Sequence, residues 1–192
     1  MSKPKPQFIS NQIFAIGYST HSIEAFIDLL HANDIKMVID IRTIPKSHHC
    51  PQYNKEDIKE FLKTAKINYR HMKELGGLRH ASKDSINTGW VNASFRGFAD
   101  YMQTSEFEAA LEKLEKLAQK KRCALMCAEG IPWRCHRSLI ADALTLKKWK
   151  VFHIQSKKTI KLHKRTSFLK VKNGQITYPY IRIKKKIAQS SE

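Results

Sequence analysis

CALMCAEGIPWRCHRS, residues 123–138, holds the change of pattern from which the fold is read. Cys123 to Ala128 form an unbroken apolar run, as in a strand buried on both faces. Gly130 and Pro132 then punctuate the chain as a loop. From Leu139 to Leu146 the apolar residues return with helical character. Strand, loop and helix in that order form the first part of a βαβ unit.

The same alternation extends in both directions. Ile13 to Gly17 reads as a buried strand, and Ser22 as the N-cap of a helix carrying Ile23, Phe26, Ile27 and Leu30. Met37 to Ile41 reads as a second strand. Asn54 starts a helix with an inner stripe of Ile58, Phe61, Leu62 and Ala65. Ile67 to His71 gives a third strand, Phe107 to Ala118 an amphipathic helix, and Val151 to Ile154 a last short strand. The expected architecture is α/β, a single three-layer domain with a mostly parallel sheet flanked by helices. Residues 79–91 are polar and irregular, as in a mobile loop or lid.

After Ile154 the character changes. Phe168 to Tyr178 alternates around Asn173-Gly174, a type I′ hairpin signal, and Tyr180, Ile181 and Ile183 suit a further edge strand. The expectation is a family domain over 1–156 and a small basic β appendage over 157–192, its tip disordered.

Charge adds a second constraint. The formal net charge is +18, and residues 157–192 hold eleven Lys/Arg against one acid. So cationic a chain attracts polyanions, nucleic acid above all. The hydrophobic share of 42% is enough for a real core and excludes wholesale disorder. No apolar run is long enough for a membrane span, and the first residues lack a secretory apolar region, so the cytoplasm is expected. Four cysteines are too few for a disulfide scaffold of this length.

In open parallel sheets, ligands bind at the carboxyl ends of the strands, near a switch in strand order. Three segments fall there: Gly17-Tyr18-Ser19-Thr20-His21, Asp40-Ile41-Arg42, and Cys127 to Arg137. Arg134 and Arg137 with His136 beside a helix N-terminus suit a phosphate or carboxylate, and the same surroundings favour thiolate at Cys127 or Cys135. Asp40 and Arg42 point to one face of their strand, as a salt bridge or as an acid/base group beside an anion anchor. Trp133, in a turn between Pro132 and Arg134, is the best ligand-facing aromatic. Cys127, Cys135 and His136 are also a low-ranking metal set. Their spacing departs from the usual structural zinc pattern, and no cofactor is expected.

GYSTHSIEAFIDLL, VIDIRTIPKS, ELGG, NASFRGFADYM and CAEGIPWRCHRSLIADAL together resemble the bacterial and archaeal family catalogued as domain of unknown function 488, from about Ile13 to Ile154. The resemblance implies no settled reaction. It marks the motif positions Gly17, Ser19, Thr20, Asp40, Arg42, Gly76, Gly77, Asn92, Arg96, Cys127, Glu129, Trp133, Arg134, Cys135, His136 and Arg137. It also implies arginines in the loop that reads SHHCP here, so that His48 and His49 replace cations in an anion-facing loop. The loop after Cys127 is similar to the cradle of Cys-dependent phosphatases. However, Arg134 comes one residue later than in that cradle, and Glu129 would repel a phosphate.

Three functions are therefore carried forward. The first is an enzyme acting on nucleic acid, a nucleotide or another phosphorylated ligand. In it Asp40, Glu129 or His136 transfers protons and Cys127 or Cys135 is the nucleophile, while Ser19, Thr20, Arg42, Arg96, Trp133, Arg134 and Arg137 bind the substrate. The second is a non-catalytic binding module. The third is a thiol redox or metal-binding protein built on Cys127, Cys135 and His136.

Overall fold

The computed structural model describes residues 11–19 and 21–180. The main sheet is formed by β1 (Gln12–Gly17), β2 (Met37–Asp40), β3 (Asn68–His71), β4 (Cys123–Cys127), β5 (Lys150–Ile154) and β6 (Ile160–Leu162), in the order β3-β2-β4-β1-β5-β6. All pairings are parallel except that of β6 with β5. Helices α1 (Ile23–Ala32) and α2 (Lys55–Thr64) cover one face. Helices α3 (Ala93–Tyr101), α4 (Ser105–Ala118) and α5 (Arg137–Leu146) cover the other.

The two-residue alternation of β1 shows why both faces need helices. Ile13 and Ala15 join the core under α3, α4 and α5, while Phe14 and Ile16 join the core under α1 and α2. The Ser22 hydroxyl accepts from the Ala25 N–H and caps α1, as the sequence suggested. Asn54 precedes α2, but its Oδ1 is taken by the Ser47 N–H, so it secures the preceding loop instead of capping the helix. Phe61, expected in the inner stripe of α2, is 40% exposed; Ile58 and Leu62 fill that face.

The chain leaves β1 toward β2 on one side and leaves β4 toward β5 on the other. The switch in strand order therefore falls between β4 and β1, whose ends are level at Gly17 and Cys127. Backbone pairing continues past the strands. Tyr18 N–H donates to Cys127 O at 3.0 Å, Ser19 N–H to Ala128 O at 2.8 Å, and Ile41 N–H to Met126 O at 3.1 Å.

The segment after β5 is tied into this body. β6 (IKL) extends the sheet, and β7 (Lys170–Lys172) pairs with β8 (Gln175–Thr177) as a separate hairpin. Asn173 (φ 51°) and Gly174 (φ 76°) are both left-handed, as a type I′ turn requires. Tyr178 follows, fully buried in the main core, with its hydroxyl 2.9 Å from Asp142 Oδ2. Residues 79–91 are irregular but anchored: Ser82 N–H, Ser85 Oγ and Asn87 Nδ2 all donate to Asp100, and Asn87 Oδ1 accepts from Tyr178 N–H. Tyr180 lies outside any strand; Ile181, Ile183 and the expected disordered tip lie outside the described residues.

Candidate functional site

Beyond the level ends of β1 and β4 opens a cleft of about 490 Å³, bordered by Tyr18, Arg42, Lys46, Cys127, Arg134 and His136. Its floor is a thiol–imidazole cluster. The sulfurs of Cys127 and Cys135 and a ring nitrogen of His136 all lie within 4.8 Å of one another. The loop from Glu129 to His136 turns the chain back, so the end of β4 meets the start of α5.

The orientation of His136 is set by the backbone. Its Nε2 lies 3.1 Å from both Ile41 O and Leu75 O. Carbonyl oxygens only accept, so Nε2 carries the proton and donates to them. Nδ1 is left to face the sulfurs, 3.8 Å from Cys135 Sγ. Gly77 makes this fit possible, because a Cβ there would sit 2.5 Å from His136 Nδ1.

The two thiols differ. Hydrogen bonding from Cys135 holds the Cys127 thiol well below its ordinary range against the opposing effect of burial, helped by His136 and the Arg137 charge. Cys135 is pushed well up by donating that hydrogen bond and by burial. Of the pair, Cys127 is the thiol that gives up its proton more readily, and Cys135 the one that keeps it. Cys123, at the other end of β4, is pushed up to about 12 by burial.

Asp40 and Arg42 form a closed unit. Asp40 is fully buried. Its Oδ1 accepts from Arg42 Nε at 2.9 Å, and its Oδ2 accepts from Arg42 Nη2 at 2.6 Å and Tyr69 Oη at 2.7 Å. The guanidinium also sits over the Tyr18 ring, which stacks on Tyr53 with centroids 4.0 Å apart. Asp40 therefore orients Arg42 at the cleft edge, with its acceptor positions occupied. Tyr69→Phe removes one donor to this carboxylate and is expected to cost about 1–2 kcal/mol in urea unfolding. An unchanged midpoint would show that the hydroxyl does not support the pair.

Several residues assigned to the site from sequence lie elsewhere. Arg137, expected to hold an anion, turns inward. It is 1% exposed and donates to the carbonyls of Glu129 and Gly130, so it braces the loop beneath the thiols. Arg96 donates twice to Trp90 O and does not border the cleft. Trp133 is 68% exposed but lines a different, larger cavity, across the Pro132–Arg134 turn from its neighbour Arg134. Ser19 adopts a left-handed backbone (φ 40°) behind the loop, and its carbonyl faces Cys50 Sγ. Thr20 lies outside the described residues. Glu129 borders the cleft, with Oε1 accepting from Ile131 N–H. His48 and His49 are exposed on the SHHCP loop.

Lys46 was not singled out from sequence, although it lies in the VIDIRTIPKS motif. Lys46 and Arg134 border the cleft and pair with no acid among the described residues. The thiol cluster also presents a donor set that a thiophilic ion accepts: two sulfurs and one imidazole, with the other ring N–H held by carbonyls and a fourth side open to the cleft.

Fold and site together define an α/β protein with a thiol–imidazole centre at its topological switch point. A family model described as Domain of unknown function DUF488 matches residues 22–144, and the chain belongs to that family. No curated protein and no solved structure matches the chain. Among the described residues, no helix is long and apolar enough to cross a membrane.

Proposed function

We propose that the chain is a thiol-dependent enzyme whose Cys127 attacks an anionic, phosphorylated ligand of the nucleotide or nucleic-acid class. The observation that carries this reading is the fixed orientation of His136, whose Nε2 is held by two carbonyls so that Nδ1 is aimed at the Cys127–Cys135 pair. This arrangement supports Cys127 as nucleophile and His136 as its base. As the sulfur bonds to the electrophilic atom, the bond to the leaving group breaks. The proton that His136 took from Cys127 passes to that group. Lys46 and Arg134 supply the anchors for the anion, and the chain's net charge of +18 attracts polyanions.

A second reading, thiol redox exchange, is favoured by one observation, the closeness of the Cys135 sulfur. In that reading Cys127 attacks an external disulfide and releases one of its thiols, and Cys135 then attacks the mixed disulfide, releasing the second thiol and leaving the Cys127–Cys135 disulfide.

Alkylation by iodoacetamide tests the centre itself. The sign follows from the shift: a lowered pKa keeps Cys127 reactive at pH values below the ordinary thiol range. The rate should fall only when the pH drops through that lowered value. Cys135→Ala, which removes the donor, should move the inflexion upward, and Cys123 should stay unlabelled. Inorganic phosphate should slow the labelling, and Arg134→Ala should weaken that protection about tenfold. An inflexion at or above the ordinary thiol value would remove the nucleophile reading.

A further inference from the structure

The larger cavity, about 870 Å³, lies across the Pro132–Arg134 turn from the thiol cleft. Trp90, Trp133 and Phe168 give it aromatic walls. One of its wall residues, His153, ends a buried chain of hydrogen bonds that the thiol centre does not use.

The chain starts at Asp142, fully buried on α5. Its Oδ1 lies 3.0 Å from His163 Nε2, and a carboxylate only accepts, so His163 presents Nε2–H to it. His163 Nδ1 lies 3.0 Å from His153 Nε2, one ring donating to the other. His153 Nδ1 is left with no partner among the described residues. Burial above all, then His163 and the Arg137 charge, pushes the His153 pKa down to about 3, so the ring stays uncharged at neutral pH and can offer a hydrogen bond to a neutral partner. His153 is 6% exposed, and burying a polar ring nitrogen without a hydrogen-bond partner is unfavourable.

Trp90 lines the same cavity, and its Nε1–H is also unpartnered. Lys161 and Lys164, both exposed, also line it. The cavity therefore combines flat apolar walls, two buried ring nitrogens without partners (Trp90 Nε1 and His153 Nδ1) and cationic lining residues. An aliphatic ligand would use neither polar group, and a bare anion would not use the aromatic walls. A heteroaromatic ring with its own donor and acceptor and a phosphate on a short arm uses them all. We propose that this cavity is a nucleoside monophosphate site, with the base among Trp90, Trp133 and Phe168, its edge read by His153, and the phosphate held by Lys161 and Lys164. The site goes beyond the thiol reading and does not rest on it.

The test titrates AMP, GMP, CMP and UMP into the full chain, read by tryptophan fluorescence and calorimetry. One-to-one binding of at least one of them is expected, with a Kd below roughly 1 mM. Trp133→Ala and the double change Lys161→Ala with Lys164→Ala, all at exposed positions, should each weaken it about tenfold. Arg134→Ala acts on the thiol cleft, so the binding event that depends on Trp133 should persist in it. The nitrogen resonance of His153 Nδ1 should move on saturation. The proposal is overturned by an absence of saturable binding at roughly 10 mM of all four, or by toluene binding as tightly as the best nucleotide. It is equally overturned by a stationary His153 resonance, or by binding lost in Arg134→Ala and kept in Trp133→Ala.

Discussion

Replacing Asp142 with alanine is expected to lower the free energy of unfolding by about 3–5 kcal/mol, among the largest effects of any single substitution in this chain. The carboxylate is fully buried and accepts from four donors: His163 Nε2, Thr166 N–H, Thr166 Oγ1 and Tyr178 Oη. Alanine leaves all four facing a void. Burial and the nearby Asp142 charge raise the Tyr178 phenol, so that hydroxyl remains a donor and loses its acceptor. Asparagine fills the volume but offers one acceptor oxygen and a competing NH₂, so it should recover only part of the loss. Urea unfolding followed by circular dichroism measures the change. A loss under about 1 kcal/mol would mean that the chain beyond β5 unfolds apart from the sheet, since all four donors belong to it.

Gly17→Ala is the second large effect. Gly17 ends β1 level with Cys127, and the returning loop passes directly over it. A Cβ there would lie 1.9 Å from Glu129 O and 2.8 Å from Gly130 Cα. These are backbone atoms, so no side-chain rotation relieves the overlap. The loop cannot move freely, because Arg137 donates to the same two carbonyls and Ser19 N–H holds Ala128 O. The expected cost is about 3 kcal/mol, at the upper end for overpacking. The Cys127 sulfur should also be displaced from His136, raising the pH at which it is alkylated. Wild-type stability with a wild-type alkylation profile would contradict the close approach of strand and loop.

β1, β2 and β4 were readable because they are short apolar runs bounded by polar turns, whereas the exposed three-residue β6, beyond the expected last strand, carries no such signal. Ser22 and Asn173-Gly174 were readable because caps and tight turns depend on local residue types. The misreadings at Arg137 and Trp133 share one cause: they concern where a long side chain goes. Arg137 stands next to His136 in the sequence, yet α5 carries it inward under the loop and leaves His136 at the cleft. Trp133 and Arg134 are consecutive, yet the turn between them divides two cavities. The Asp142–His163–His153 chain joins α5, the segment after β6 and β5. Its only local trace was an acid in an apolar helix. Tyr178 was hidden in the most basic part of the chain, where composition speaks for the surface. Phe61 went the other way, left exposed because Ile58 and Leu62 already fill the space under α2.

The hydrogen bonds that run on beyond the strand ends bear on how a ligand would be received. Tyr18, Ser19 and Ile41 are each clamped to the β4 segment by their own amides. The backbone around the thiols therefore gives up its conformational freedom when the protein folds and has little left to lose on association. Occupancy of the cleft should then leave amide exchange at these three positions nearly as it was, with adjustment confined to the rim side chains of Lys46 and Arg134. In such a site selectivity rests on shape, because a rigid mouth cannot close around a misfitting guest.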